Sequence, residues 1–237
     1  MNFHEFGPRT APHVMLIHGG GNAWWNYLRQ ARALSPRYHV ILPTLDGHGE
    51  EYRIPYRSTE QTADRLMDYI LRECGGRLFA LGGVSLGGQI VMELLARKSD
   101  IAEKAIIDGS LCIPQPVLAQ FCIASVRLFG PLLFSEKACR RQLSLMDRVL
   151  PEEMRYPEEI KAYYLQDMPK LPQETLYAMY RTYMMRYRCS CSGNGVNPSF
   201  CSTMASSLKY RSRIISEYLL LGERPFSFAG KTKKAQV

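Results

Sequence analysis

Short apolar runs alternate with amphipathic stretches through the first half of the chain. His13–His18 is apolar and ends in Gly19-Gly20-Gly21, which predicts a buried strand running into a tight loop. From Asn22 to Leu34, Trp24, Trp25, Tyr27, Leu28, Ala31 and Leu34 fall at helix-compatible spacing. His39–Pro43 predicts a second strand, followed by the polar loop Asp46-Gly47-His48-Gly49-Glu50. Ser58 or Thr59 can cap a helix that carries Ala63, Leu66, Met67, Ile70 and Leu71 on one face. A third strand, Leu78–Leu81, enters the glycine-rich turn Gly82–Gly88, and the helix beyond carries Ile90, Val91, Leu94 and Leu95. A fourth strand, Lys104–Ile107, ends at Asp108-Gly109. These strands are too apolar for one face to be solvated. Their alternation with helices predicts an α/β fold with a mostly parallel sheet flanked by helices on both sides.

The pattern changes after residue 113. No strand signal appears up to Tyr187, and helices are predicted over Val117–Phe129, Lys137–Leu150, Pro157–Gln166 and Gln173–Tyr187, punctuated by prolines. An all-helical insertion after a sheet strand makes a cap over the strand ends. Beyond Arg188 periodicity fades, Ser, Asn, Gly and Cys crowd residues 189–207, and only Tyr218–Leu221 resembles a strand. The expected organisation is therefore a core over 1–113, a helical cap over 114–187 and an atypical basic tail over 188–237.

Charge narrows the classes of partner. The chain carries a formal net charge of +8, but eight basic and two acidic residues lie from Arg188 onward, which leaves the remainder nearly neutral. Tail basicity without aromatic platforms or a known module does not indicate nucleic acid. The seven cysteines are scattered, as expected of reduced cytoplasmic thiols, and Cys189, Cys191 and Cys201 match no familiar zinc spacing. No apolar run looks long enough to span a membrane, and Met1–Phe6 lacks the basic start and apolar core of a secretion signal. A cytoplasmic protein with no metal, no cofactor and no nucleic-acid or membrane partner is expected. Oligomeric state is not encoded legibly.

Candidate chemistry centres on Gly83-Val84-Ser85-Leu86-Gly87. A serine presented on a sharp strand-to-helix turn needs small neighbours, and Gly83 and Gly87 supply that room, with Gly82 and Gly88 widening it. The Leu86 N–H then opens a helix, where free donors favour a developing oxyanion. A second donor is expected from the loop after the first strand, at Gly20.

With these features the chain resembles the α/β-hydrolase family, of the small esterase and lipase-like type with a helical cap. The resemblance runs from about Phe3 to Tyr187. It rests on His18-Gly19-Gly20-Gly21, on Asp46-Gly47-His48-Gly49-Glu50 in place of an Asp-x-x-Gly-x-Gly loop, and on Gly83–Gly88. It implies that Ser85 attacks the carbonyl of a small acyl or ester substrate, that the Gly20 and Leu86 amides hold the oxyanion, and that water releases the acyl-enzyme. Glu223, which follows Tyr218–Leu221 and Gly222, matches the position of the family's acid, and Asp108 is an alternative used by some hydrolases.

The base is missing. All five histidines (His4, His13, His18, His39 and His48) precede Ser85, whereas the family places its histidine after the last strand. His18 and His48 are expected near the nucleophile, holding their loops by hydrogen bonding rather than serving as substitute bases. Two explanations stand side by side. Either the chain is a catalytically inactive hydrolase-like module that binds a small molecule or protein, or residues 188–237 are a frame-shifted or truncated end, with the terminal strands incomplete.

Overall fold

The computed structural model describes residues 1–111, 114–152 and 155–186. Five strands form one sheet: β1 (Asn2–Phe6), β2 (His13–Ile17), β3 (His39–Thr44), β4 (Leu78–Val84) and β5 (Ala102–Asp108), in the order β1-β3-β2-β4-β5. β1 runs antiparallel to β3, and all other pairings are parallel. Between strands lie α1 (Leu28–Leu34), α2 (Thr59–Glu73) and α3 (Leu86–Arg97). After β5 come α4 (Pro116–Leu133), α5 (Glu136–Val149), α6 (Glu158–Asp167) and α7 (Gln173–Tyr180).

Covering both faces of the sheet explains the continuous apolar runs. Side chains alternate across a strand, so Val14 and Leu16 join Val40, Leu42 and Ala80 on one face, packed on Ala31 and Leu34 of α1. Met15, Ile17, Ile41 and Leu81 meet Leu66 and Ile70 of α2 and Ile90, Val91 and Leu94 of α3 on the other. The second core continues into Val126, Ile160, Leu176 and Met179 of the later helices. Ser58 caps α2, its hydroxyl accepting from the Gln61 N–H at 3.2 Å.

Several elements depart from expectation. β1 was not anticipated, because Asn2–Phe6 is short and the consecutive polar residues His4 and Glu5 break any apolar alternation; pairing with β3 supplies its hydrogen bonds. The helix expected from Asn22 begins instead as a 3-10 turn over Trp24–Tyr27, since Ala23 offers no capping side chain. The last predicted helix changes at Arg181 into a π-helical turn over Arg181–Arg186. α4 continues past Pro131 and, at 18 residues with Arg127 its sole charge, is long and apolar enough to cross a membrane. That corrects the expectation that no such run exists; Gln120, Ser125 and Arg127 disguise it in the sequence. Among the described residues β5 is an edge strand. The predicted strand Tyr218–Leu221 and the tail lie outside the described residues.

Candidate active site

The turn between β4 and α3 is built by close backbone contact. Ser85 has φ 53° and ψ −115°, and it is the one non-glycine residue at positive φ among the described residues. Such a conformation costs of order 1–3 kcal/mol and persists only where the surroundings over-determine it. Here they do. The Ser85 N–H donates to the Asp108 carbonyl at 2.7 Å, and the Ser85 carbonyl accepts from the Ser110 hydroxyl at 2.6 Å.

The glycines are required by their neighbours. A Cβ on Gly83 would lie 2.4 Å from the Gly87 carbonyl, and one on Gly87 would lie 2.1 Å from the Ile17 carbonyl oxygen. A Cβ on Gly88 would meet the Ser110 hydroxyl at 2.0 Å. Gly82 plays a different part from the one expected. It sits within β4, where a Cβ would touch the end of the Leu16 side chain at 2.9 Å, so it fits the core and does not widen the turn.

The loop after β2 lies against this turn. Ile17 pairs with Gly83, and a Cβ on Gly19 would lie 3.5 Å from that of Ser85. Gly20 and Leu86 are brought together, with a Gly20 Cβ position 3.9 Å from Leu86 Cβ. Leu86 opens α3, so its N–H is among those without an intrahelical partner. Over Gly20 sits Met179 of α7, whose methyl carbon would be 2.5 Å from a Cβ there. Sequence reasoning missed both Met179 and Ser110. A methionine in a cap helix and a serine after a strand carry no signature, since each acts through a partner distant in the chain.

The two histidines near the turn are committed elsewhere. His18 is fully buried; its Nδ1–H donates to the Gly19 carbonyl at 2.8 Å, and its Nε2 accepts from the Leu45 N–H at 3.0 Å. His48 is also fully buried; its Nδ1–H donates to the Asp46 carbonyl at 2.9 Å, and Nε2 faces the Met179 sulfur at 3.2 Å. Their rings meet edge to face, 5.2 Å apart. Burial lowers His18 to about 3, with His48 beside it adding to the shift. Burial lowers His48 to about 4 against the partial support of the Asp46 carbonyl. Both rings are therefore neutral structural pieces. Among the described residues, Ser85 Oγ has no hydrogen-bond partner.

Of the acid candidates, Asp108 adjoins the turn through its backbone carbonyl, and burial raises its half-buried carboxyl above the usual carboxylate range. Glu223 lies outside the described residues. Cys189, Cys191 and Cys201 do as well.

A family model for the alpha/beta hydrolase fold matches residues 12–131, about half of the chain. The chain belongs to that family. A curated AB hydrolase superfamily protein from Gibberella zeae is 29% identical over 126 residues, covering 51% of this chain and 39% of that protein. The match thus spans about two fifths of the relative's length. Two solved structures share the fold. The enol-lactonase from Burkholderia xenovorans superposes with a TM-score of 0.60 at 18% identity, covering 77% of this chain and 69% of that one. A thermophilic esterase from Thermogutta terrifontis gives a TM-score of 0.58 at 23% identity, covering 77% and 68%.

Proposed function

We propose that this chain is a serine hydrolase directed at a carboxylic ester or similar acyl bond in a small, partly apolar substrate. Ser85 is the nucleophile, and the Gly20 and Leu86 amides are the oxyanion donors. The observation that carries this reading is the positive φ of Ser85 at the mouth of β4, held by two backbone-directed hydrogen bonds. Strain of this kind is retained where a side chain must be aimed. In the reaction Ser85 Oγ adds to the carbonyl carbon, the alcohol leaves with a proton, and water releases the acyl group. Such chemistry needs no cofactor. Glu223 is the family-matched acid, and Asp108 is the one adjoining the turn.

The hydroxyl proton has no positioned acceptor among the described residues. Loss of a triad member typically costs about 10⁴-fold or more in turnover, so attack here relies on solvent bases and is slow. The two locked histidines favour a second reading, in which the pocket binds an acyl-bearing small molecule or protein without turning it over.

Fluorophosphonate labelling separates the two. Wild-type protein is expected to label slowly at Ser85, to label about tenfold faster or more when imidazole is added as an external base, and not to label as Ser85→Ala. Absence of labelling in well-folded protein, even with imidazole, leaves the binding reading.

A further inference from the structure

α4 is turned inside out. Its buried seam consists of Ala119, Val126 and Gly130, whereas Val117, Phe121, Leu128 and Leu132 are 82%, 69%, 72% and 69% exposed. These four are spaced i, i+4, i+11 and i+15, so they form one stripe, and Leu118, Phe129 and Leu133 widen it. Soluble helices place such residues inward, and a contiguous apolar face of this size marks an interaction site. α5 follows after two residues and carries Lys137, Arg141 and Arg148 on one face, with exposed Leu145 and Val149 beside them. Among the described residues these three cations and Arg127 have no ion-pair partner, whereas Glu136 is paired with Arg140 and Asp147 with Lys161.

We propose that the outward face of α4, with the basic stripe of α5, docks on an anionic phospholipid bilayer. The combination commits the occupant: large aliphatic and aromatic side chains enter the acyl boundary while adjacent Lys and Arg meet the headgroups. The surplus of positive charge on this hairpin disfavours a second copy of the same surface as the partner, since like charges would be brought together. The helix lies on the membrane and does not span it. Its small-residue seam is packed inward, with Gly130 against Gln173 and the Gln115 N–H just before α4 bonded to the Met184 carbonyl at 2.7 Å. Docking on a bilayer departs from the expectation of no membrane partner drawn from sequence alone.

The test is flotation of the full chain with vesicles of phosphatidylcholine alone and of phosphatidylcholine mixed with phosphatidylserine. Wild-type protein is expected to partition into the mixed vesicles about tenfold more strongly, a preference that fades with salt. Phe121→Ser with Leu128→Ser should lower partitioning roughly a hundredfold or more, since two large apolar anchors of the stripe are lost. Lys137→Glu with Arg141→Glu should abolish the phosphatidylserine preference, with its melting temperature, like that of the serine pair, close to wild type. Ser85→Ala should bind as wild type, which keeps this result independent of the hydrolase reading. Equal partitioning of wild type and the serine pair overturns the proposal. So does absence of flotation, or a vesicle-independent dimer that the serine pair dissolves.

Discussion

Gly87→Ala is expected to destabilise the chain by about 3 kcal/mol or more, which a urea or thermal melt would read directly. The added methyl would stand 2.1 Å from the Ile17 carbonyl oxygen and 2.6 Å from that of His18. Both are backbone atoms of β2 and the loop after it, so relief requires α3 to withdraw from the sheet. α3 cannot withdraw cheaply, because Ile90, Val91 and Leu94 are wholly buried there. Gly82→Ala provides the contrast. Its methyl meets only the far end of Leu16, a rotatable side chain, and about 1 kcal/mol is expected. Gly88→Ala falls between, because its worst clash is with the Ser110 hydroxyl at 2.0 Å, with the Gly83 carbonyl oxygen close by at 3.0 Å. Removing that hydroxyl in a Gly88→Ala, Ser110→Ala double variant should recover part of the loss, so the two changes should not add. Similar costs at Gly82 and Gly87 would show that the turn is looser than its contacts imply. At stake is more than stability, since the same contacts hold Ser85 at positive φ and set the direction of its hydroxyl.

What the sequence made legible follows the range of the interactions involved. The strand, glycines and helix start around Ser85 follow one another in the chain, so the turn could be placed from sequence, although the contacts that require Gly87 and Gly88 come from Ile17, His18 and Ser110. The parallel sheet was legible for a similar reason. His39–Pro43 is apolar at every position but its first, and only a doubly covered strand needs that. β1 escaped notice because Asn2–Phe6 becomes a strand through β3 and not through its own pattern. Ser110 and Met179 escaped because their effect on the turn exists only in three dimensions. α4 was recognised as a helix, but its orientation was not. Periodicity identifies an apolar face without saying whether the protein covers it, and here the small residues are covered instead. The reading of His18 and His48 as loop-holding residues anticipated hydrogen bonds that the structure contains. Glu223 lies beyond the described residues, so the acid rests on chain order alone.

Acidification from about pH 6.5 to about pH 5 is expected to cost the fold about 3–4 kcal/mol through His18 and His48. Each is lowered well below the ordinary value of 6.5 by burial, to about 3 and about 4. In that window the unfolded chain takes up protons that the folded chain refuses, so stability rises with pH and falls as pH drops. The contribution is complete above 6.5 and is lost progressively toward the folded values. His13 shifts in the same direction, through burial and the neighbouring His39, and adds to the slope. Against a typical stability of about 5–15 kcal/mol this is a large fraction, so the midpoint in urea should drop steeply between these pH values. His48→Gln removes one titrating ring while keeping a donor for the Asp46 carbonyl, and should flatten the slope by roughly half of the two-histidine effect. A midpoint that does not move with pH would mean that the rings take up protons in the fold as readily as in the unfolded chain. They would then be open to proton exchange, and His48 in particular would return as a candidate base. The chemistry gives an independent check. A ring held neutral down to about pH 4 produces no inflection near 6.5, so Ser85 labelling should rise smoothly with hydroxide across the neutral range. An inflection near 6.5 that disappears in His48→Gln would assign the base to a residue whose Nε2 now faces Met179.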